Sequence, residues 1–400
     1  MNRTTVFIDA WLVLRDRVSR GWLLIDGPTI VGCGTGVPPE AATTVPLDGD
    51  YLMPGLIDIH CHGAAGAVVY DGEAALRTVA AAHLAHGTTS LIASIPTVDR
   101  SVMITATRLI ARLLREVPDP PLNLAGVHWE GPFLSKDRPG AQTVQAIIDP
   151  SAELVESLLS TAGRIPAMMT IAPELVGATD LIRTYADRLR FAIGHTDADH
   201  RRTVAAIDAG ARHVTHLFNA MPGLGHRDPG PVAAALTDGR VGYELIADGQ
   251  HVADPVLALA AGVDHARRAV LITDASAAAG LADGRYRIAD RELDVRHGAV
   301  RRVGSDRLAG SAVFLIDCVR HLVDSVKIPI ADAVAMATVN PATRIGLERR
   351  GELRPGRRAD LLVVDDALQV RSIFTAGVRH QQSSEMILSG PSGHQPEESS

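Results

Sequence analysis

Along the middle of the chain, short apolar runs rich in β-branched residues alternate with longer stretches in which alanine and leucine recur at helical spacing. The runs are LIDIHCHG (56–63), TSLIASIP (89–96), NLAGVHWEGP (123–132), PAMMTIAPE (166–174), RFAIGHT (190–196), HVTHLFN (213–219), VGYELIADG (241–249) and AVLITDA (269–275). Runs of this length, bounded by Gly, Pro and polar residues, predict strands. Between them, EAALRTVAAAHLAHG (73–87) and HRRTVAAIDAG (200–210) predict helices that stop at glycine. Strands that alternate with helices form parallel sheets, and eight such units fit a closed (β/α)8, TIM-like barrel of about 250 residues.

The flanks carry a different pattern. VFIDAWLVL, GWLLID and TIVGCG at one end, and RADLLVVDDALQVRSIFTAGVRH (358–380) at the other, read as short strands punctuated by Gly and Pro. Neither end has enough strands to bury a face alone. The expected organisation is therefore a small β-sandwich assembled from both termini (1–50 and 347–382) around a barrel over 51–346. The tail 383–400, rich in Ser, Gly, Pro and Glu, is expected to be disordered.

Composition narrows the function classes. A length of 400 residues suits two or three units, or one large barrel with a small companion. With 46% hydrophobic but only 4% aromatic residues, the core is built from Ala, Val, Leu and Ile. A net charge of −7 argues against nucleic acid and anionic membranes as partners. Three scattered cysteines, Cys33, Cys61 and Cys318, make neither a disulfide framework nor a zinc ribbon, and a reducing cytoplasm is the expected location. Asp9 and Arg15 break the apolar run at the N-terminus, so no signal-peptide core is read there, and no segment reaches the roughly 18–20 apolar residues of a membrane span.

The polar residues of the eight runs cluster at their C-terminal ends: His60 and His62, Glu130, His195, His216, Asp248 with His251, and Asp274. In a barrel those ends converge on the face where active sites are built. A strand has period two, so His60 and His62 share a side while Cys61 takes the other. Two neutral imidazoles suit Zn, Fe or related divalent ions, and Glu130, on an otherwise apolar strand, needs a cation or donors to offset its desolvation. Singly, each residue reads equally as a satisfied polar group at a strand end; together they predict a metal centre. An open coordination position there favours metal-assisted hydrolysis of an amide-like or C–N bond, with Asp274 as general base and acid and His251 as the donor to the carbonyl under attack.

PGLIDIHCHG, HWEGPF, GHTDA, THLFNAM, ADGQHV and LITDA resemble, in order, the signatures of the N-acetylglucosamine-6-phosphate deacetylases of the amidohydrolase superfamily, and NPATRIGLERRGELRPGRRADLLVVD resembles that superfamily's exit from the barrel. The resemblance runs from about residue 50 to 380. It implies that Glu130, His195 and His216 hold one divalent ion (Zn, Fe, Mn or Co) and that His60 and His62 add a second, bridged by Glu130. It implies Asp274 as base and acid and His251 on the acetyl carbonyl. It implies Asn219 and Ala220 at the phosphate of an amino-sugar phosphate, with Arg227 reaching that phosphate from the other subunit of a homodimer; without the resemblance, Arg227 reads as an exposed loop arginine. Where the family carries Gly-Ala-His after GPFLS, this chain has RPGAQ, so contacts of Ala141 and Gln142 with the sugar are put in question.

Several residues read as supporting structure. His83 and His86 suit helix-end or surface positions, His128 a place beside the metal ligands, Cys61 the packing behind the first strand, and Asp197 and Asp199 caps of the following helix. Two other functions compete: a cyclic amidase or deaminase acting on an unphosphorylated ring, and a metal-binding protein without catalysis, against which Asp274 argues.

Overall fold

In the computed structural model, which describes residues 4–116, 123–288 and 291–380, eight parallel strands follow one another in sequence order. They are Leu56–Cys61, Thr88–Ile95, Leu124–Glu130, Ala167–Ile171, Arg190–Ile193, His213–Val214, Gly242–Ile246 and Ala269–Ile272. The ring closes where the Asp274 amide donates to the carbonyl of His60 (3.0 Å) and the His62 amide to that of Ala275 (2.9 Å). The seam thus lies among the residues singled out for chemistry. All eight expected strands form, but each ends before its apolar run does; the surplus residues carry His62, His195, His216, Asp248 and Asp274, while His60 and Glu130 stay on their strands.

The alternation along the strands separates two cores. Trp129, Met169, Phe191, Ile193, Tyr243, Leu245 and Leu271 pack outward with the helices, against Leu76, Met103, Ile110, Leu154, Leu158, Ile182 and Ile207. Trp129 is fully buried there and donates its Nε1–H to Thr107 Oγ1 (2.9 Å) on the helix Arg100–Glu116. Inside the barrel, Ile57, Ile59, Ile92, Met168, Ala192, Ile246, Val270 and Ile272 form a second cluster, plugged by Ala342 and Ile345 of the helix Val339–Ile345. Leu56 and Cys61 belong to the outer core although Ile57 and Ile59 belong to the inner one. The facing parity of the first strand therefore changes before His60, where its pairing with the second strand slips between Asp58 and Cys61. Such a bulge re-aims side chains at a barrel rim.

Both ends of the chain meet in one sheet. Tyr51–Pro54 pairs in parallel with Thr4–Val13 and antiparallel with Leu361–Val364, which continues to Val370–Thr375 and Val378–His380. Phe7 and Phe374 touch edge to face at 5.1 Å although two strands separate theirs, so the sheet curls over its own core of Leu12, Leu23, Ile25, Leu52, Leu361 and Val363. The expected disordered tail lies outside the described residues.

One element is absent from the sequence reading. After the eighth strand, Gly284–Ile288, Arg291–Arg296, Ala299–Arg302 and Leu308–Ser311 form a four-stranded antiparallel sheet. Its two-residue turn between Arg296 and Ala299, one of its connections, is His297-Gly298, with φ of 51° and 78°, the left-handed pair that a type I′ hairpin requires. Two smaller expectations also change. His83 does stand in the last turn of the helix Gly72–Ala85, but not at the surface: it is fully buried, its Nε2 3.0 Å from Cys61 Sγ, because the helix lays this face on the first strand. Asp199 caps the helix His200–Ala209, but Asp197 accepts from Arg138 Nε (2.8 Å) instead.

Candidate active site

Glu130 ends the third strand at the centre of the rim, 2% exposed. Its Oε1 lies 3.1 Å from the Nε2 atoms of both His195 and His216, which are themselves 3.1 Å apart, and 3.3 Å from His60 Nε2. Its Oε2 lies 3.1 Å from His62 Nε2 and accepts from Gln142. Asp274 Oδ1 stands 3.3 Å from His62 Nε2 and 3.6 Å from His60 Nε2. Two ligand groups result, Glu130 with His195 and His216, and His60 with His62 and Asp274, with Glu130 touching both.

The ring tautomers show what this cluster is built for. His62 donates from Nδ1 to the carbonyl of Ser94 (2.8 Å), His195 to that of Arg138 (3.1 Å), and His60 to the carboxylate of Glu244 (2.9 Å). A neutral imidazole that donates through Nδ1 presents only a lone pair at Nε2. Three such lone pairs facing a carboxylate repel unless a cation lies among them, and nitrogen and oxygen donors of this kind suit Zn, Fe, Mn or Co. The residues present fit a divalent metal.

Titration behaviour carries the same sign. Burial opposes the charge on Glu130, yet His60, His195 and His62 hold its carboxyl well below the usual range. Asp274 is likewise lowered against its burial, by His60 and His62. Burial pushes the His62 imidazole down, but Glu130 and Asp274 outweigh it and raise it to about 9. Metal loading at neutral pH therefore displaces protons.

Backbone geometry brings these side chains inward. His195, His216 and Asp274 have φ of 47°, 25° and 46°, a left-handed region that costs a non-glycine residue about 1–3 kcal/mol and persists only where surroundings enforce it. For His216 the enforcing group is Glu244, which accepts the His216 amide at 2.9 Å. Below the ligands lies a polar layer: His128 bridges Ser94 Oγ (3.0 Å) and Thr170 Oγ1 (2.8 Å), and Thr170 reaches Thr215 at 2.7 Å. Burial keeps His128 well below the ordinary imidazole range, so it is neutral.

A cavity of about 350 Å³ opens over this floor, within the range of roughly 300–1,000 Å³ of small-molecule sites. His62, Glu130, His195, His216, His251 and Asp274 line it, as do Asn219, Ala220, Ala141 and Gln142. His251 holds its Nδ1 2.7 Å from Asp248 Oδ2. Burial pushes the Asp248 carboxyl up, but the hydrogen bond and charge of His251, with the backbone amides of His251 and Gln250, together outweigh it and leave the group below its usual range. Asn219 donates to the carbonyls of His216 and Leu217 (3.3 Å each) and so shapes the loop. Gln142 accepts from the Thr97 amide (2.8 Å) while donating to Glu130, which ties it to the candidate metal ligands. Arg227 is exposed on the loop 223–228 and is not among the residues that line the cavity of its own chain.

Two contributors escaped the sequence reading. Glu244 is a lone carboxylate inside an apolar strand, the same signal that marks Glu130, but it sits in the middle of Gly242–Ile246 rather than at a strand end. The wall formed by Ile288, Leu293, Arg307, Leu308, Ala309 and Gly310 comes from the additional sheet. The alternation RYRI followed by ELDVRHGAV carried that signal.

Comparison with known proteins bears on this site. The amidohydrolase family model matches residues 51–389. N-acetylgalactosamine-6-phosphate deacetylase of Escherichia coli O157:H7 is 34% identical over 91% of this chain and 98% of its own length. N-acetylglucosamine-6-phosphate deacetylase of Vibrio furnissii is 33% identical over 84% of each. Among solved structures, a mutant of N-acetyl-D-glucosamine-6-phosphate deacetylase from Mycobacterium smegmatis, in complex with N-acetyl-D-glucosamine-6-phosphate, superposes with a TM-score of 0.87 at 35% identity, covering 94% of this chain and 99% of that one.

Proposed function

Because this chain belongs to the amidohydrolase family, we propose that it removes the acetyl group from N-acetylglucosamine 6-phosphate, giving acetate and glucosamine 6-phosphate. The observation that carries this reading is the convergence of Glu130, His195, His216, His60 and His62 beside Asp274 on the floor of a sugar-sized cavity. Glu130, His195 and His216 would hold one divalent cation, and His60 and His62, with Glu130 between, a second. A cation so held supplies Lewis acidity, which brings the pKa of a coordinated water down to about 7.

Asp274 takes the proton of the attacking water as the new C–O bond forms at the acetyl carbon. It returns that proton to the amide nitrogen as the C–N bond breaks, so the amine leaves neutral and acetate carries the oxygen. His251, with Nδ1–H given to Asp248, acts as a donor from Nε2 when it is an imidazolium; the Asp248 carboxylate supplies the counter-charge, and Nε2–H polarises the acetyl carbonyl. Asn219 and the Ala220 amide receive the phosphate. Ala141 and Gln142 face the sugar, with Gln142 already committed to Glu130 and Thr97. Arg227, exposed and outside its own cavity, would meet the phosphate bound by a second copy in a homodimer, where a guanidinium suits a phosphate well. The three cysteines are free thiols, in keeping with a cytoplasmic location, and among the described residues no helix is long and apolar enough to cross a membrane.

The similarity to a deacetylase named for the galacto epimer makes N-acetylgalactosamine 6-phosphate the second reading. The deciding experiment compares kcat/KM on the two 6-phosphates and on unphosphorylated N-acetylglucosamine, with metal content measured on the same protein. We expect the gluco 6-phosphate to be preferred. A preference for the phosphorylated sugar below tenfold, about 1.4 kcal/mol, would favour a cyclic amidase or deaminase instead.

A further inference from the structure

We propose that Glu244 is a positioning residue that couples the two ligand groups and decides whether the site fills with one ion or two. The inference rests on the reading of His60, His62, Glu130, His195 and His216 as metal ligands, and assigns no chemistry to Glu244 itself.

Glu244 points into the barrel from the seventh strand, is fully buried, and is not among the residues that line the cavity. Its two oxygens have three partners. Oε2 lies 2.9 Å from His60 Nδ1 and accepts the His216 backbone amide at 2.9 Å; Oε1 lies 3.1 Å from His213 Nε2. One oxygen thus holds a side chain of the His60–His62–Asp274 group and the backbone of the Glu130–His195–His216 group.

Two consequences follow. An ionised carboxylate accepts only, so His60 must carry its proton on Nδ1 and turn the Nε2 lone pair toward Glu130 and Asp274. His62 gets the same service from a backbone carbonyl, which no substitution removes; His60 alone depends on a side chain. The second consequence concerns His216, whose φ of 25° lacks support from a regular strand and is held by the bond to Oε2. His213, on the short strand His213–Val214 that leads into His216, braces the other oxygen and keeps the carboxylate plane fixed.

The test counts ions rather than turnover. The full-length native chain and Glu244→Gln are titrated with cobalt(II) alone, without substrate, while bound metal is counted by elemental mass spectrometry and the visible cobalt spectrum is followed. The native chain is expected to take two ions. In Glu244→Gln the second should bind about 10–100-fold more weakly, the usual cost of removing a carboxylate behind a ligating histidine, and the spectrum should stop at its one-ion form. Glu244→Asp, which keeps the charge, should recover part of the lost affinity.

A native chain that saturates at one ion, or a Glu244→Gln chain that takes both as tightly as native, overturns the proposal. A measurement on unmutated protein guards against a variant that fails to fold. In the nitrogen-15 spectrum of the zinc-loaded chain, His60 should be protonated at Nδ1, and protonation at Nε2 overturns the proposal equally. Two-ion binding with no hydrolysis of N-acetylhexosamine phosphates would end the substrate reading and leave this one standing.

Discussion

Asp274 and His62 sit 3.3 Å apart with opposite preferences for a proton, and the catalytic account depends on Asp274 being free to take one from the attacking water. Replacement of Asp274 by Asn keeps the shape and removes the base. We expect kcat to fall by about 10²–10⁴-fold with KM little changed, measured as acetate release at fixed metal content. A variant within tenfold of native would move the base elsewhere. His83 offers a test of the buried surroundings. Burial holds its pKa down to about 4, against 6.5 for the free side chain. As pH falls, the unfolded chain binds a proton near 6.5 while the folded one waits until about 4. This contribution to stability is therefore complete above pH 6.5 and is lost progressively below it, by about 2 kcal/mol at pH 5. Urea midpoints should fall less between pH 7.5 and 5 in His83→Leu than in the native chain, and equal falls would contradict the burial argument. Single residues were also where the sequence spoke most clearly: polar side chains ending apolar runs, such as Glu130 and Asp274, advertise their cost of burial. Glu244 and His83 were hidden because their partners, His60 and Cys61, lie 184 and 22 positions away.

The barrel strands could be read from apolar period and length, and their early endings follow from the same cause as the site. At His195, His216 and Asp274 the backbone leaves the extended region, so the ladder stops where the chemistry starts. The additional sheet was harder to find. Its strands are half exposed and rich in arginine, as in Arg285, Arg287, Arg296 and Arg301, so no apolar run marks it. It packs a small core of Leu293, Val295, Val300 and Ala309 against Ala141, and Arg302 Nη2 donates to the Ala141 carbonyl at 2.6 Å. The sheet thus holds from above the loop whose Ala141 and Gln142 line the cavity. Arg302→Ala should raise KM about tenfold, the cost of one charged hydrogen bond, while kcat stays within twofold because Asp274 and the ligands are anchored below. Steady-state kinetics separate the two, and a fall in kcat at unchanged KM would place the sheet's role in the chemistry instead.

At the scale of the molecule, strands from both chain ends fold over one another beside the barrel, and the barrel closes at the candidate metal ligands His60 and His62. Cation binding and global stability should therefore be linked. A ligand present at 1,000 times its Kd stabilises the folded state by about 4 kcal/mol. Chelation should lower the thermal midpoint by several degrees and abolish turnover, and re-addition of zinc, manganese or cobalt should restore both. An unchanged midpoint and full activity after verified metal removal would contradict the linkage. The most direct measurement is diffraction from crystals grown with zinc, recorded on both sides of the zinc absorption edge. The account predicts an anomalous peak bounded by Glu130, His195 and His216, with a second beside His60 and His62 at higher occupancy of the site. A well-ordered map with those side chains in place and no anomalous signal among them would contradict it.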